Sequence, residues 1–233
     1  MNSLILDSGK GWIAIDKPTG LPSHATNQEE DDALAMIRRE LKNNPNLADK
    51  SGWNGFETCV HRLDRETSGV LLIAVDRSTA SVLQSAFGES RTVSKTYRAV
   101  LRGKLSEKEG QWRYAISDKS EGRTNPQGKA EDRKPSETRF KISRANNYFT
   151  EIEVDLLTGR QHQIRKHSAI SKHAVVGDAR YGDKKYNEMI FSRYGFSRML
   201  LHAEKLMLQT GEFNISITAK LPREFDLTFG VEQ

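Results

Sequence analysis

The sequence predicts an α+β fold, a single catalytic domain with a largely antiparallel mixed β-sheet flanked by helices and loops, and three observations predict it. Strand-like segments outnumber helical ones along the 233 residues. No strand–helix–strand rhythm recurs, which argues against a doubly wound parallel sheet. Residues 136–142 and 148–156 read as an antiparallel pair, the second alternating Ile152, Val154 and Leu156 with acids.

The remaining elements follow in order. Trp12-Ile13-Ala14-Ile15 reads as a short strand closed by the turn Asp16-Lys17-Pro18-Thr19-Gly20. Residues 31–42 predict a helix, with Asp31 and Asp32 at its start and Leu34, Ile37 and Leu41 on one face. Residues 43–55 are polar and loop-like. The apolar run at 70–75 reads as a buried strand. Asp76 suits the cap of a helix through Phe87, with Leu83, Ala86 and Phe87 inward and Gly88 as its stop. Residues 95–103 have strand character, although Val100 shares a face with Arg98 and Arg102. Residues 117–135, rich in charge, Gly and Pro, are expected to form a mobile surface excursion. A short helix at 163–170 and a late strand at 213–217 complete the reading.

Lys and Arg total 36 against 31 acids, a net charge of +5. The excess is concentrated: residues 91–144 hold 15 basic and 7 acidic side chains, and residues 158–173 hold four basic residues, three histidines and no acid. Such a stripe favours a polyanion, and nucleic acid is the commonest. Cys59 is the only cysteine, which excludes an intrachain disulfide. It reads as a small buried apolar residue rather than a thiol nucleophile. The first residues lack the pattern of a signal peptide, and no apolar run approaches the ~20 residues of a membrane span. A soluble cytoplasmic protein is the expectation.

Two polar clusters could carry chemistry. Val60-His61-Arg62-Leu63-Asp64-Arg65-Glu66-Thr67-Ser68-Gly69 sets a carboxylate between two guanidinium groups, immediately before the buried strand. A carboxylate so placed stays ionised and aimed, as a nucleophile or general base requires; a surface salt bridge is the alternative. Thr158-Gly159-Arg160-Gln161-His162-Gln163-Ile164-Arg165 is a glycine turn opening a helix, suited to gripping phosphate or neutralising a carboxylate. His162 and His167 are five apart and do not align on one helical face as a zinc pair does, so no metal is expected. No Gly-rich phosphate loop or dinucleotide fingerprint is present, so no cofactor is expected.

With these residues in place, the chain resembles the RluA-type RNA pseudouridine synthases. The likeness rests on His61-Arg62-Leu63-Asp64 with Thr67-Ser68-Gly69, on Asp16-Lys17-Pro18-Thr19-Gly20-Leu21 and on Lys95-Thr96-Tyr97-Arg98-Ala99. It extends through the 158–165 cluster, Gly177-Asp178-Ala179-Arg180-Tyr181-Gly182 and Leu200-Leu201-His202-Ala203. The six motifs stand in the family's order. Three positions depart from its usual Leu, Gly and Pro: Ser168, Lys172 and Ala174. Lysine in place of a helix-ending glycine is less favourable by about 1 kcal/mol if the left-handed conformation is kept.

The resemblance implies that uridine in RNA is converted to pseudouridine without a cofactor, by breaking the N-glycosidic bond and rejoining the ribose to carbon 5. Asp64 would be the catalytic carboxylate, attacking the anomeric carbon or working through a glycal; both routes stay open. Arg165 matches the arginine that pairs with it, and Tyr97 the tyrosine that stacks on the base. Arg62 matches the residue that fills the space left by the flipped uridine; His61 and Arg160 join it in the RNA-contacting set, and Leu201 lines the pocket. The partner would be a ribosomal or transfer RNA stem-loop, with no membrane, and the protein a monomer. Residues 1–233 would form the catalytic domain, with no separate N-terminal RNA-binding domain, since the first motif starts at residue 16. Two other classes remain: an RNA-binding or RNA-folding protein that kept the fold without catalysis, and a hydrolase in which Glu66 activates water.

Overall fold

The computed structural model describes residues 4–24, 31–88, 92–119 and 121–230. The chain divides into two compact units, one of residues 1–95 and 203–220 and the other of residues 96–202 and 221–233.

The first unit opens with β1 (Ile5–Gly9) and β2 (Trp12–Lys17), an antiparallel hairpin. Helix α1 (Ala33–Asn43) starts where Asp32 accepts a hydrogen bond from Ala35 N–H at 2.7 Å, and it buries Ala33, Ile37 and Leu41. The segment read as a loop contains a short helix, α2 (Pro45–Ser51), capped by Asn44 and ended by Gly52 in the left-handed conformation. Pro45 at its first position and a two-turn length leave no apolar periodicity to detect. Strand β3 (Thr58–Cys59) and β2 both pair antiparallel with β4 (Ser68–Ala74), every residue of which is buried. Asp76 starts α3 (Arg77–Gly88), its Oδ1 accepting from Thr79 N–H at 2.8 Å. Leu83 and Ala86 enter a core with Leu72, Ala74 and Val70.

Strand β5 (Val93–Arg102) leads into the second unit. Its mixed face is explained there: Arg98 pairs with the buried Glu151 carboxylate, Val100 joins the apolar core, and Arg102 lies 4.2 Å over the Tyr186 ring. β9 (Thr138–Ala145) and β10 (Phe149–Leu156) form the antiparallel pair the alternation anticipated, and β6 (Glu109–Trp112) pairs antiparallel with β9 and β5 with β10. The excursion is organised rather than plain loop. β7 (Ile116–Ser117) pairs with β8 (Arg133–Lys134), and the fully buried Lys166 donates from Nζ to the carbonyls of Ser117 at 2.6 Å and Lys119 at 2.8 Å. Helix α4 (Gln163–Ile170) has the expected bounds and α5 (Lys184–Tyr194) is capped by Asp183.

The chain then returns to the first unit along β11 (Leu201–Gln209), whose residues 205–209 pair antiparallel with β12 (Asn214–Thr218). Gly69 allows β4 to approach β11: at φ 110° it carries no side chain, and a Cβ there would lie 2.2 Å from the Ala203 carbonyl oxygen. A last short helix, α6 (Glu224–Leu227), packs Phe225 into the core of the second unit. Among the described residues, no helix is long and apolar enough to cross a membrane.

Candidate active site

In the first unit Asp64 is half-buried on the loop between β3 and β4. This loop is fastened through its main chain. Ser23 Oγ accepts from Leu63 N–H at 3.0 Å and donates to the Leu63 carbonyl at 2.9 Å. The Arg65 carbonyl accepts from Gly20 N–H at 2.8 Å and from Lys17 Nζ at 3.2 Å. Thr19 donates to the Glu66 carbonyl at 2.8 Å, and the Asp64 carbonyl closes a turn to Thr67 N–H at 3.1 Å. Lys17 is fully buried, and its ammonium also donates to the carbonyls of Leu21 at 2.6 Å and Pro18 at 2.9 Å. Residues on both sides of Asp64 are thus tied to the 17–23 segment by donors and acceptors that fix the backbone from which its side chain projects.

The neighbours of Asp64 diverge in use. Arg62 is exposed. His61 stacks its ring on Phe87 with centroids 4.7 Å apart, and its Nε2 accepts from Leu72 N–H at 3.1 Å. Burial, helped by the Lys95 ammonium, pushes this imidazole down to about 3, so it is neutral at ordinary pH. The ring expected to face RNA is therefore engaged in bracing β4. Cys59 is buried, and burial pushes its thiol up to about 12, leaving negligible thiolate for nucleophilic chemistry.

In the second unit Arg165 is 2 % exposed on α4. Asp178 grips it with both carboxylate oxygens, from Nε at 2.7 Å and from one terminal nitrogen at 3.0 Å. Asp178 Oδ1 also accepts from the N–H groups of Arg180 and Tyr181. Burial works to raise its pKa, but Arg165 and these amides hold it below the usual carboxylate range. The sequence reading gave Asp178 no role. Its signal was an acid inside a Gly-bounded turn, but the partner lies 13 positions away. The Arg165 guanidinium also lies 5.4 Å over the Tyr181 ring, whose hydroxyl meets His162 Nδ1 at 3.0 Å.

Two residues further along α4, His167 is held in a single tautomer. Nε2 faces the Tyr114 carbonyl at 3.0 Å, which can only accept, so Nε2 carries the proton and Nδ1 accepts from the Thr138 hydroxyl at 2.9 Å. Burial pushes this group down to about 4. Tyr97 is buried on β5 opposite Val154, and Leu201 is buried at the start of β11. Arg160 is half-buried, its backbone N–H donating to Gln163 Oε1 at 3.0 Å. Asp64, Arg62 and His61 thus belong to the first unit, and Tyr97, Arg160, Arg165 and Leu201 to the second. Among the described residues, no three His, Cys, Asp or Glu side chains gather as a metal site would need.

The profile of a family described as RNA pseudouridylate synthase matches residues 11–169, a span that includes Asp64, Tyr97 and Arg165. Ribosomal large subunit pseudouridine synthase C of Vibrio vulnificus (strain CMCP6) is 32% identical over 219 residues, covering 88% of this chain and 61% of that protein. The chain thus spans less than two thirds of the length of this relative. The tRNA pseudouridine synthase C of Yersinia pestis is 30% identical over 229 residues, covering 89% of this chain and 82% of that one. Among solved structures, human RNA pseudouridylate synthase domain containing 1 aligns with a TM-score of 0.72 at 25% identity, covering 93% of this chain and 82% of its own.

Proposed function

Because this chain belongs to the RNA pseudouridylate synthase family, we propose that it isomerises uridine in structured ribosomal or transfer RNA to pseudouridine, with Asp64 as the catalytic carboxylate. The observation that carries the reading is the seat of Asp64, on a loop tied through its main chain at Leu63, Arg65 and Glu66. Fixing the carboxylate in advance removes an entropic barrier from a reaction that needs its close approach to one sugar, by either route. The bond between C1′ and N1 breaks and a bond between C1′ and C5 forms. The proton leaves C5, and N1 ends protonated, so the atoms balance without a cofactor.

The remaining roles follow the chemistry of the side chains. Tyr97 offers a ring on which the base can stack. Arg165, fixed by Asp178, offers a cation that cannot swing away. Arg62, exposed beside Asp64, would fill the gap when the uridine leaves its stack. The whole chain would serve as the catalytic domain.

Purified protein incubated with RNA separates the classes. Wild type should yield pseudouridine retained in the chain, and Asp64→Asn none, with RNA affinity within a few-fold. Release of free uracil would make it a hydrolase, and binding without either product an RNA-binding protein. Arg62→Ala should lose more activity on a stem-loop than on a short flexible RNA, because unstacking costs a few kcal/mol only where the base is stacked. Equal loss on both RNAs would remove the flipping role.

A further inference from the structure

The second unit contains a cavity of about 260 Å³, walled by Tyr181 and Tyr186 and edged by Arg102, Arg123 and Lys172. We propose that it binds a backbone phosphate of the RNA; this rests on the reading of the chain as an enzyme acting on RNA, and it names a contact that reading does not include.

Three features converge. Charge is the first: Asp183 is the single carboxylate among the lining residues, and it is already engaged by Arg123 at 2.7 Å and by Tyr186 N–H at 2.9 Å. Three cations against one committed carboxylate leave a positive surplus. The second is the fixed geometry of Arg102, whose guanidinium lies 4.2 Å over the Tyr186 ring. Stacking by one face leaves the N–H edge of a planar cation to meet an anion. The third is Lys172, which ends α4 at φ 66°, in the left-handed region that glycine occupies without strain. Its backbone N–H donates to the Ala169 carbonyl at 3.0 Å, as a helix-ending turn requires. Glycine would serve that turn better, so the lysine there points to use of its charge.

Lys172→Gly is the decisive variant, because it deletes the ammonium while relieving the backbone; its thermal stability should equal or exceed that of wild type. Arg102→Gln is the second. RNA affinity is measured across salt concentrations for wild type and both variants. Each should reduce the magnitude of the log–log salt slope by about 0.7–0.9, the value of one lost phosphate contact, and weaken unrelated RNA sequences alike. Slopes equal to wild type in both variants would overturn the proposal, whether or not the wild type forms pseudouridine. Reduced slopes with no pseudouridine from the wild type would keep the phosphate site and sink the enzymatic reading. Titration with inorganic phosphate, read at the amides of Gly182 and Asp183, distinguishes the other source. Saturable binding of free phosphate with unchanged RNA slopes would assign the cavity to a small anion and overturn the RNA claim.

Discussion

The loop around Asp64 and the helix around Arg165 are both immobilised, but by different chemistry. The loop is tied by main-chain carbonyls and amides to Lys17, Thr19, Gly20 and Ser23. The helix is tied by side chains taken out of water: Arg165 to Asp178, Lys166 to two carbonyls, His167 to Thr138 and Tyr114. A main-chain tie is shared among several modest hydrogen bonds, each contributing about 0.5–1.5 kcal/mol, and it fails gradually. A buried ion pair fails at once when one partner is removed, because the other is left charged and unsolvated. The two regions should therefore respond in different styles to substitution.

The largest effect is expected at Asp178. Asp178→Ala should destabilise the protein by about 3–5 kcal/mol, the usual penalty for orphaning a buried charge. Adding Arg165→Met should restore part of that stability while leaving activity lost. Urea unfolding of the two single variants and the double variant measures the coupling. Additive losses would show that the pair does not act as a unit.

Acid comes next. His167 is pushed down to about 4 by burial, so the folded state keeps it neutral while the unfolded state takes up a proton below its ordinary value near 6.5. Its contribution is complete above 6.5 and is lost as pH falls toward 4, amounting to about 3 kcal/mol. Asp178, held below the usual carboxylate range, adds a loss only at lower pH, as it is protonated. His61 acts similarly on β4, its imidazole pushed down to about 3. His167→Gln should flatten the pH dependence of amide-exchange protection in α4 while leaving that of β4 in place. An unchanged slope in α4 would show that His167 is not what acid attacks there.

Lys17 tests the other style of fastening. Lys17→Met retains most of the buried volume but removes the donor to the carbonyls of Pro18, Leu21 and Arg65. A stability loss of about 2 kcal/mol is expected, from acceptors left without a charged donor, with a larger proportional loss of pseudouridine formation. Full activity in a folded Lys17→Met would show that the loop needs no clamp.

Much of this architecture was legible in advance, and what escaped has a physical reason. The run at 70–75, the caps Asp32 and Asp76 and the alternation at 148–156 each carry a local signal, and the elements follow them closely. Helix α5 and strand β11 do not: KKYNEMIFSRY and LHAEKLMLQ mix charge and apolar residues without a clean period. The Asp64 motif was visible, but its clamp was not, because a carbonyl acceptor has no signature in a sequence and Lys17 reaches Arg65 across 48 positions. The left-handed Lys172 was anticipated from the resemblance alone, as the residue standing where glycine is usual, and φ 66° bears that out. A second non-glycine residue in that region stands at the other end of α4, the N-cap residue His162 at φ 55°, which nothing local announced.

The smallest expected effect is the most discriminating. Thr19→Val is nearly isosteric and deletes one hydrogen bond, from the Thr19 hydroxyl to the Glu66 carbonyl. Both residues are half-buried, so water can replace part of what is lost, and stability should fall by only about 0.5–1 kcal/mol. Activity is another matter if positioning of Asp64 is what the clamp provides. A displacement of the reacting group by 1 Å can cost about 100-fold in rate, so even partial loosening should lower kcat several-fold while RNA affinity stays as it was. Measuring kcat at saturating RNA beside the urea midpoint sets the two against each other. If kcat falls only in proportion to the small stability change, the main-chain ties serve folding alone, and the two regions differ in chemistry without differing in function.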